Sequence, residues 1–177
     1  MSTADEDTAK NPALPSGRSA LAWLWLAVLA IAADQASKAW ILARFEEFET
    51  LTLLPVFDIS RWHNQGAAFS FLAGAGGWQR WLFTALALVV SSAIFVWLRR
   101  LDGVLQRRLA AALTLIMGGA LGNVIDRVHH GFVVDFLVVH WNAHYFPAFN
   151  VADSCITIGA GLLILDALLD GRAKKKG

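Results

Sequence analysis

Charge is scarce in this chain. Asp, Glu, Lys and Arg together make up 16% of its 177 residues, where a soluble domain carries about a quarter. That shortfall, beside 56% hydrophobic residues and 8 Trp, excludes an ordinary water-soluble fold and points to a polytopic membrane protein. An excess of one sign is missing too. The 15 Lys and Arg stand against 14 Asp and Glu, for a net charge of +1. The basic residues fall into a few clusters, so nothing argues for a nucleic-acid partner and none is expected. Cysteine is all but absent. The lone Cys155 rules out an internal disulfide framework and a cysteine-based zinc site, and within its apolar run it reads as a small buried hydrophobe.

What is present is a series of long apolar segments with polar groups at their mouths. Residues 1–18, with Asp5, Glu6, Asp7, Pro12, Pro15 and Gly17, are expected to form a disordered cytoplasmic tail. The first span is predicted over about 19–45. Its Ala30-Ile31-Ala32 looks like a signal-peptide cleavage site, but the region before it opens acidic and the helical pattern continues past Asp34. About 27 residues of helix reach roughly 40 Å at 1.5 Å each, enough to cross a bilayer. Three further spans are predicted over about 78–98, 109–126 and 152–169. Trp78, Trp81 and Trp97 frame the second as an aromatic belt, and Gly118, Gly119 and Gly122 suit the third to close helix packing. Residues 19–170 thus form one four-helix membrane domain, and 171–177, with Arg172 and Lys174 to Lys176, a basic cytoplasmic tail.

Between the first two spans, TLTLLPVFDISRW has β-branched and aromatic residues in partial alternation and predicts a small β-element. Asn64-Gln65-Gly66-Ala67-Ala68-Phe69-Ser70 follows as a turn of small residues. The predicted fold class is an all-α polytopic membrane protein: four transmembrane helices, a small extracytoplasmic β-element and a second outer loop. Basic residues set its orientation. Lys10, Arg18, Arg99, Arg100, Arg107, Arg108, Arg172 and Lys174 to Lys176 fall on one side. That side is cytoplasmic and holds both termini. Asp34, Asn64, Asn123, Asp126, Arg127, Asp135, Asn150 and Asp153 then gather at the outer face, near one depth.

Acids at a membrane edge are costly and therefore suggest function. Asn150 with Asp153 three residues on is a capping-box-like start to the fourth span, which alone would account for both. Asp126 beside Arg127 suits a structural salt bridge or hydrogen bond. Asp34 and Lys38 form an i,i+4 pair, either an interfacial ion pair or a clamp that positions substrate or a neighbouring loop. Asp135 differs, because GFVVDFLVV offers no adjacent base and ionisation there is unfavourable. Facing Asp153, it could share one proton with it, the arrangement of an aspartyl protease dyad. Asp153, at a helix N-terminus, is the expected acidic member and Asp135 the keeper of the proton. Metal chemistry is the chief competitor. His140 and His144 are four apart, yet His140-Trp141-Asn142-Ala143-His144 lacks the glutamate of an HExxH site, and His129 and His130 read as loop histidines. Ser154 and Cys155 follow Asp153 without a base beside them. A non-enzymatic reading also stands, a four-helix membrane scaffold or transporter subunit, but it needs acids spread through the bilayer depth.

Five motifs in register, D34-Q-x-S-K38, N64-x-G-A-A-F-S70, G119-x-x-G-N123-x-x-D126-R127, G131-x-V-V-D135-F136 and F149-N150-x-A152-D153, together resemble the bacterial lipoprotein signal peptidases (signal peptidase II). The resemblance covers nearly the whole chain beyond the first eighteen residues. It implies a metal-free, cofactor-free aspartyl endopeptidase of the inner membrane that removes signal peptides from prolipoproteins, cutting before a diacylglyceryl-modified cysteine. It further implies Asp135 and Asp153 as the catalytic pair, and Asn64, Asn123, Arg127 and Asn150 as contacts to substrate or to the cyclic peptide inhibitor globomycin. Asp34 and Lys38 join these binding residues as supports of the site. The expected partners are the lipid-modified substrate and membrane lipid, with the site at the periplasmic face.

Overall fold

The computed structural model of the chain describes residues 18–66 and 76–175. Ala67 to Ser70 of the predicted turn, and tail residues 1–17 and 176–177, lie outside the described residues. Among the described residues four helices are long and apolar enough to cross a bilayer. They are α1 (Leu24–Arg44, entered through a 3-10 turn at Ala20–Trp23), α2 (Gln79–Leu98), α3 (Arg107–His129) and α4 (Val151–Lys175). The last two run past the predicted span ends at 126 and 169.

Helix α3 is the hub. Its most apolar stretch is 61% buried, against 22% for α1 and α2 and 11% for α4, and it packs on all three. Glycine makes that closeness feasible. A Cβ on Gly118 would stand 2.9 Å from the Ala27 carbonyl oxygen of α1, and one on Gly119 would land on the Ala152 carbonyl of α4. Without a hydrophobic drive between helices in lipid, such backbone approach is what holds them together. The outward faces carry exposed Trp25, Val28, Leu86, Val89, Ile158 and Ile164, side chains suited to acyl chains.

A sheet caps one end of the bundle. Strands β1 (Thr50–Leu54), β2 (Phe57–Asn64), β3 (Val133–Trp141) and β4 (His144–Tyr145) run antiparallel in the order β1-β2-β3-β4. The predicted β-element is the β1-β2 hairpin. The second outer loop is not a loop throughout, for it supplies β3 and β4 of the same sheet, and an all-α description understates the fold. The reason is burial on both faces. Val133, Val134, Asp135 and Phe136 are all buried, so β3 reads as an unbroken apolar run rather than an alternating one. Its partner strand lies some seventy residues earlier in the chain.

Two contacts seat the sheet. Ile41 and Phe45 at the end of α1 pack with Val134 and Phe136 in one buried cluster. Backbone bonds between Phe149 and both Phe136 and Leu137, at 2.8–3.0 Å, clip the approach to α4 onto β3. That clip brings the first residues of α4 beside Asp135.

Candidate active site

Helix α4 begins with reciprocal capping. The Asp153 N–H donates to Asn150 Oδ1 at 2.9 Å, and the Asn150 N–H donates to Asp153 Oδ2 at 3.2 Å, satisfying donors that a helix start leaves unpaired. Asn150 nevertheless does more than cap. Its Nδ2 donates to Asp135 Oδ1 at 2.7 Å and reaches Asn123 Oδ1 at 3.2 Å. One fully buried amide therefore touches both aspartates.

The other oxygens are equally well defined. Asn64, at the end of β2, donates Nδ2 to Asp135 Oδ2 at 3.0 Å. A register shift between Ile59 and Trp62 sets Trp62 opposite Asp135 and Asn64 opposite Val133. Asn123, on α3, donates Nδ2 to Asp153 Oδ1 at 2.8 Å. Both carboxylates thus receive two hydrogen bonds, all from neutral donors. Burial, followed by the nearby Asp153 charge, pushes the Asp135 carboxyl up to about 7, against the opposing pull of the Asn64 and Asn150 amides and of Lys38.

Arg127 stands at the rim. It donates to the Gly66 carbonyl at 3.0 Å and to the Asn123 carbonyl at 3.3 Å, with its guanidinium 5.4 Å from the Phe83 ring centroid. It thereby ties α3 to the segment following β2. Asp34 and Lys38 lie deeper. They pair at 2.8 Å, and Lys38 pairs again with Asp126 at 2.9 Å. The expected structural role of Asp126 is met by Lys38, Gln35 and the Val134 N–H. Gln35 was not among the residues expected to build the site. Its Nε2 reaches Asp34, Asp126 and the Gly122 carbonyl at 2.9–3.2 Å, and its place directly after Asp34 in the first motif was the available signal.

The histidines lie in and beside the sheet, with His63 and His130 both stacked on Phe132. His140 faces Asp58 at 3.3 Å and stacks on Tyr145. His63 pairs with Glu47 at 2.9 Å, and burial lowers its imidazole below the ordinary value. Among the described residues no three His, Cys, Asp or Glu gather as a metal-holding group.

The family model for signal peptidase (SPase) II matches residues 26–169. The chain belongs to the signal peptidase II family. The lipoprotein signal peptidase of Shewanella halifaxensis (strain HAW-EB4) is 54% identical over 158 residues, covering 89% of this chain and 92% of the relative. That of Shewanella loihica (strain ATCC BAA-1088 / PV-4) is 55% identical over 154 residues, covering 87% and 90%. Among solved structures, a bacterial membrane enzyme determined by the in meso method at 2.3 Å resolution superposes with a TM-score of 0.78 at 31% identity, over 88% of this chain and 93% of the other. A second such structure, at 1.9 Å resolution, has a TM-score of 0.72 at 31% identity, over 83% and 92%. Family and spanning helices together make this signal peptidase II a protein of the bacterial inner membrane.

Proposed function

We propose that the chain removes the signal peptide from lipid-modified prolipoproteins as an aspartyl endopeptidase whose catalytic pair is Asp135 and Asp153. The observation that carries this reading is the Asn150 amide, bonded to Asp135 and capped against Asp153 at once. The Asp153 charge acts on the buried Asp135 carboxyl, so the two will not both ionise readily. Asp135, held up to about 7, keeps the proton and hydrogen-bonds the scissile carbonyl oxygen. Asp153, at the positive end of α4, stays ionised and takes a proton from the attacking water. Water oxygen bonds to the carbonyl carbon while the Asp135 proton passes to the carbonyl oxygen. Collapse then breaks the C–N bond, the amine leaves with the proton from Asp153, and Asp135 regains its own.

Asn64, Asn123, Arg127 and Asn150 surround the pair and are suited to hold substrate backbone, or a globomycin-type cyclic peptide, against it. The membrane supplies the rest. Phe48, Leu51, Leu53, Leu54, Trp62 and Trp141 are exposed apolar side chains on and beside the sheet, of the kind that marks a membrane contact, and they rest on the bilayer. A lipid-bearing signal helix enters sideways between the spans and is cut just before its modified cysteine. The site then lies at the periplasmic face and both termini in the cytoplasm.

Purified protein and a diacylglyceryl-modified precursor test the reading directly. Asp135→Asn and Asp153→Asn should each slow cleavage roughly a hundred- to ten-thousandfold, with the wild type active. Cleavage at the wild-type rate by either variant overturns the assignment.

A further inference from the structure

Behind the two aspartates lies a charged cluster that the proposed reaction does not use. Asp34, Lys38 and Asp126 are 0%, 2% and 1% exposed. The Lys38 ammonium meets Asp34 Oδ2 at 2.8 Å, Asp126 Oδ2 at 2.9 Å and Asn123 Oδ1 at 2.9 Å. Those three contacts exhaust its three donors, leaving none for a substrate. The carboxylates, in turn, grip backbone. Asp34 Oδ1 accepts the Ala152 N–H at 2.9 Å, and Asp126 Oδ2 accepts the Val134 N–H at 2.9 Å. Ala152 directly precedes Asp153, and Val134 directly precedes Asp135.

The surroundings fit this cluster closely. Gln35 Nε2 spans the two carboxylates at 3.1 and 2.9 Å. A Cβ on Gly122 would come within 2.7 Å of Asp34 Oδ2, so α3 leaves room for that oxygen only by lacking a side chain. Stability alone does not call for such an arrangement. Buried ion pairs are often no more stabilising than apolar groups of the same volume, while breaking one is costly.

We propose that Asp34, Lys38 and Asp126 are positioning residues that set the separation of Asp135 and Asp153, each carboxylate holding the backbone just before one aspartate and Lys38 locking the two together. This rests on the aspartyl reading of the site. The Phe149 clip and the Asn150 amide join β3 to the start of α4 directly, and the anchor on α1 and α3 holds both from behind through the Val134 and Ala152 N–H groups. Lys38 also places a positive charge behind the dyad that acts on Asp135. The ionisable groups about it are Asp34 on α1, Asp126 and Arg127 on α3, Asp135 on β3, and Asp153 and Cys155 on α4. Removing a positive charge from this set makes ionisation of the water-activating acid harder, and removing a negative charge makes it easier.

Full-length enzyme and lipidated precursor, assayed for kcat and KM across pH, test the proposal. Lys38→Met should lower kcat roughly ten- to a hundredfold, as small misplacements of reacting groups do. Its KM should stay within about twofold and the acid limb of its profile should move to higher pH. Asp126→Asn should also lower kcat, but with the acid limb displaced to lower pH. Lys38→Arg, which keeps the charge, should restore the position of the limb and part of kcat. A purely structural role does not displace the limb in opposite directions. Unchanged kcat and unchanged profiles in Lys38→Met and Asp126→Asn overturn the proposal, as does a KM effect at constant kcat, which would make Lys38 a substrate contact. Should Lys38→Met fail to fold, Asp126→Asn and Lys38→Arg carry the test by the same limbs. A wild type that does not cleave, or a fully active Asp153→Asn, sinks the aspartyl reading itself. An inactive Asp153→Asn beside a wild-type Lys38→Met sinks only the positioning role.

Discussion

A buried carboxyl that prefers its proton makes stability depend on pH with a sign opposite to the usual acid. Asp135 titrates near 7 when folded and near the ordinary 3.8 when unfolded. Between those values the folded chain holds a proton that the unfolded chain has released, so stability falls as pH rises from about 4 to about 7. Above 7 the cost is complete, a few kcal/mol at about 1.4 kcal/mol per pKa unit. Asparagine cannot ionise but must turn a donor toward either Asn64 or Asn150, which costs about 1–2 kcal/mol. The charge effect is the larger. Asp135→Asn is therefore expected to raise the thermal midpoint at pH 8 while slowing cleavage at least about a hundredfold, and to lose that advantage at pH 5. A midpoint unchanged at both pH values in detergent-solubilised protein would show that Asp135 is not strained by burial. Sequence alone carried this far: an acid with no base nearby in GFVVDFLVV needed a partner. It could not supply the partner's geometry, because Asn150 read equally well as a simple cap.

Helices in this fold approach each other through glycine, and the cost of filling each gap differs by position. At Gly122 a Cβ meets the Asp34 carboxylate at 2.7 Å, and that group cannot swing away while bonded to the Ala152 N–H and Lys38. Gly122→Ala should lower both the thermal midpoint and the cleavage rate, at least tenfold for the latter if Ala152 shifts with it. A Cβ on Gly161 of α4, by contrast, would have nothing within 4 Å. Gly161→Ala should leave cleavage unchanged and stabilise by about 0.5–1 kcal/mol through helix propensity. Parallel cleavage assays and melts of the two variants check the contrast, and equal effects would remove α3–α1 contact as the cause. The spans and the packing role of Gly118, Gly119 and Gly122 were legible because apolar length and small-residue spacing are local properties. The extent of the sheet was not. Val133 to Phe136 carries no alternation to mark a strand, and its pairing with His63 and Asn64 depends on a contact far along the chain.

The whole molecule is polar in charge as well as in shape. The aspartates, their amides and the sheet share one end of the bundle, whereas Arg99, Arg100, Arg107 and Arg108 cluster at the α2–α3 end opposite. Basic residues in short loops are retained on the cytoplasmic side, so the charge distribution predicts which end faces outward. That expectation follows from a bias in insertion, not from packing, and it therefore needs its own measurement. With Cys155 replaced by alanine, a single cysteine can report each end in intact cells. Thr52→Cys, on an exposed position of β1, should react with a membrane-impermeant maleimide from outside the inner membrane. Val104→Cys, exposed between α2 and α3, should react only after that membrane is opened. The reverse pattern would place the aspartates in the cytoplasm, on the wrong side for a signal peptide already carried across, and the direction of substrate entry would have to be rebuilt from that end.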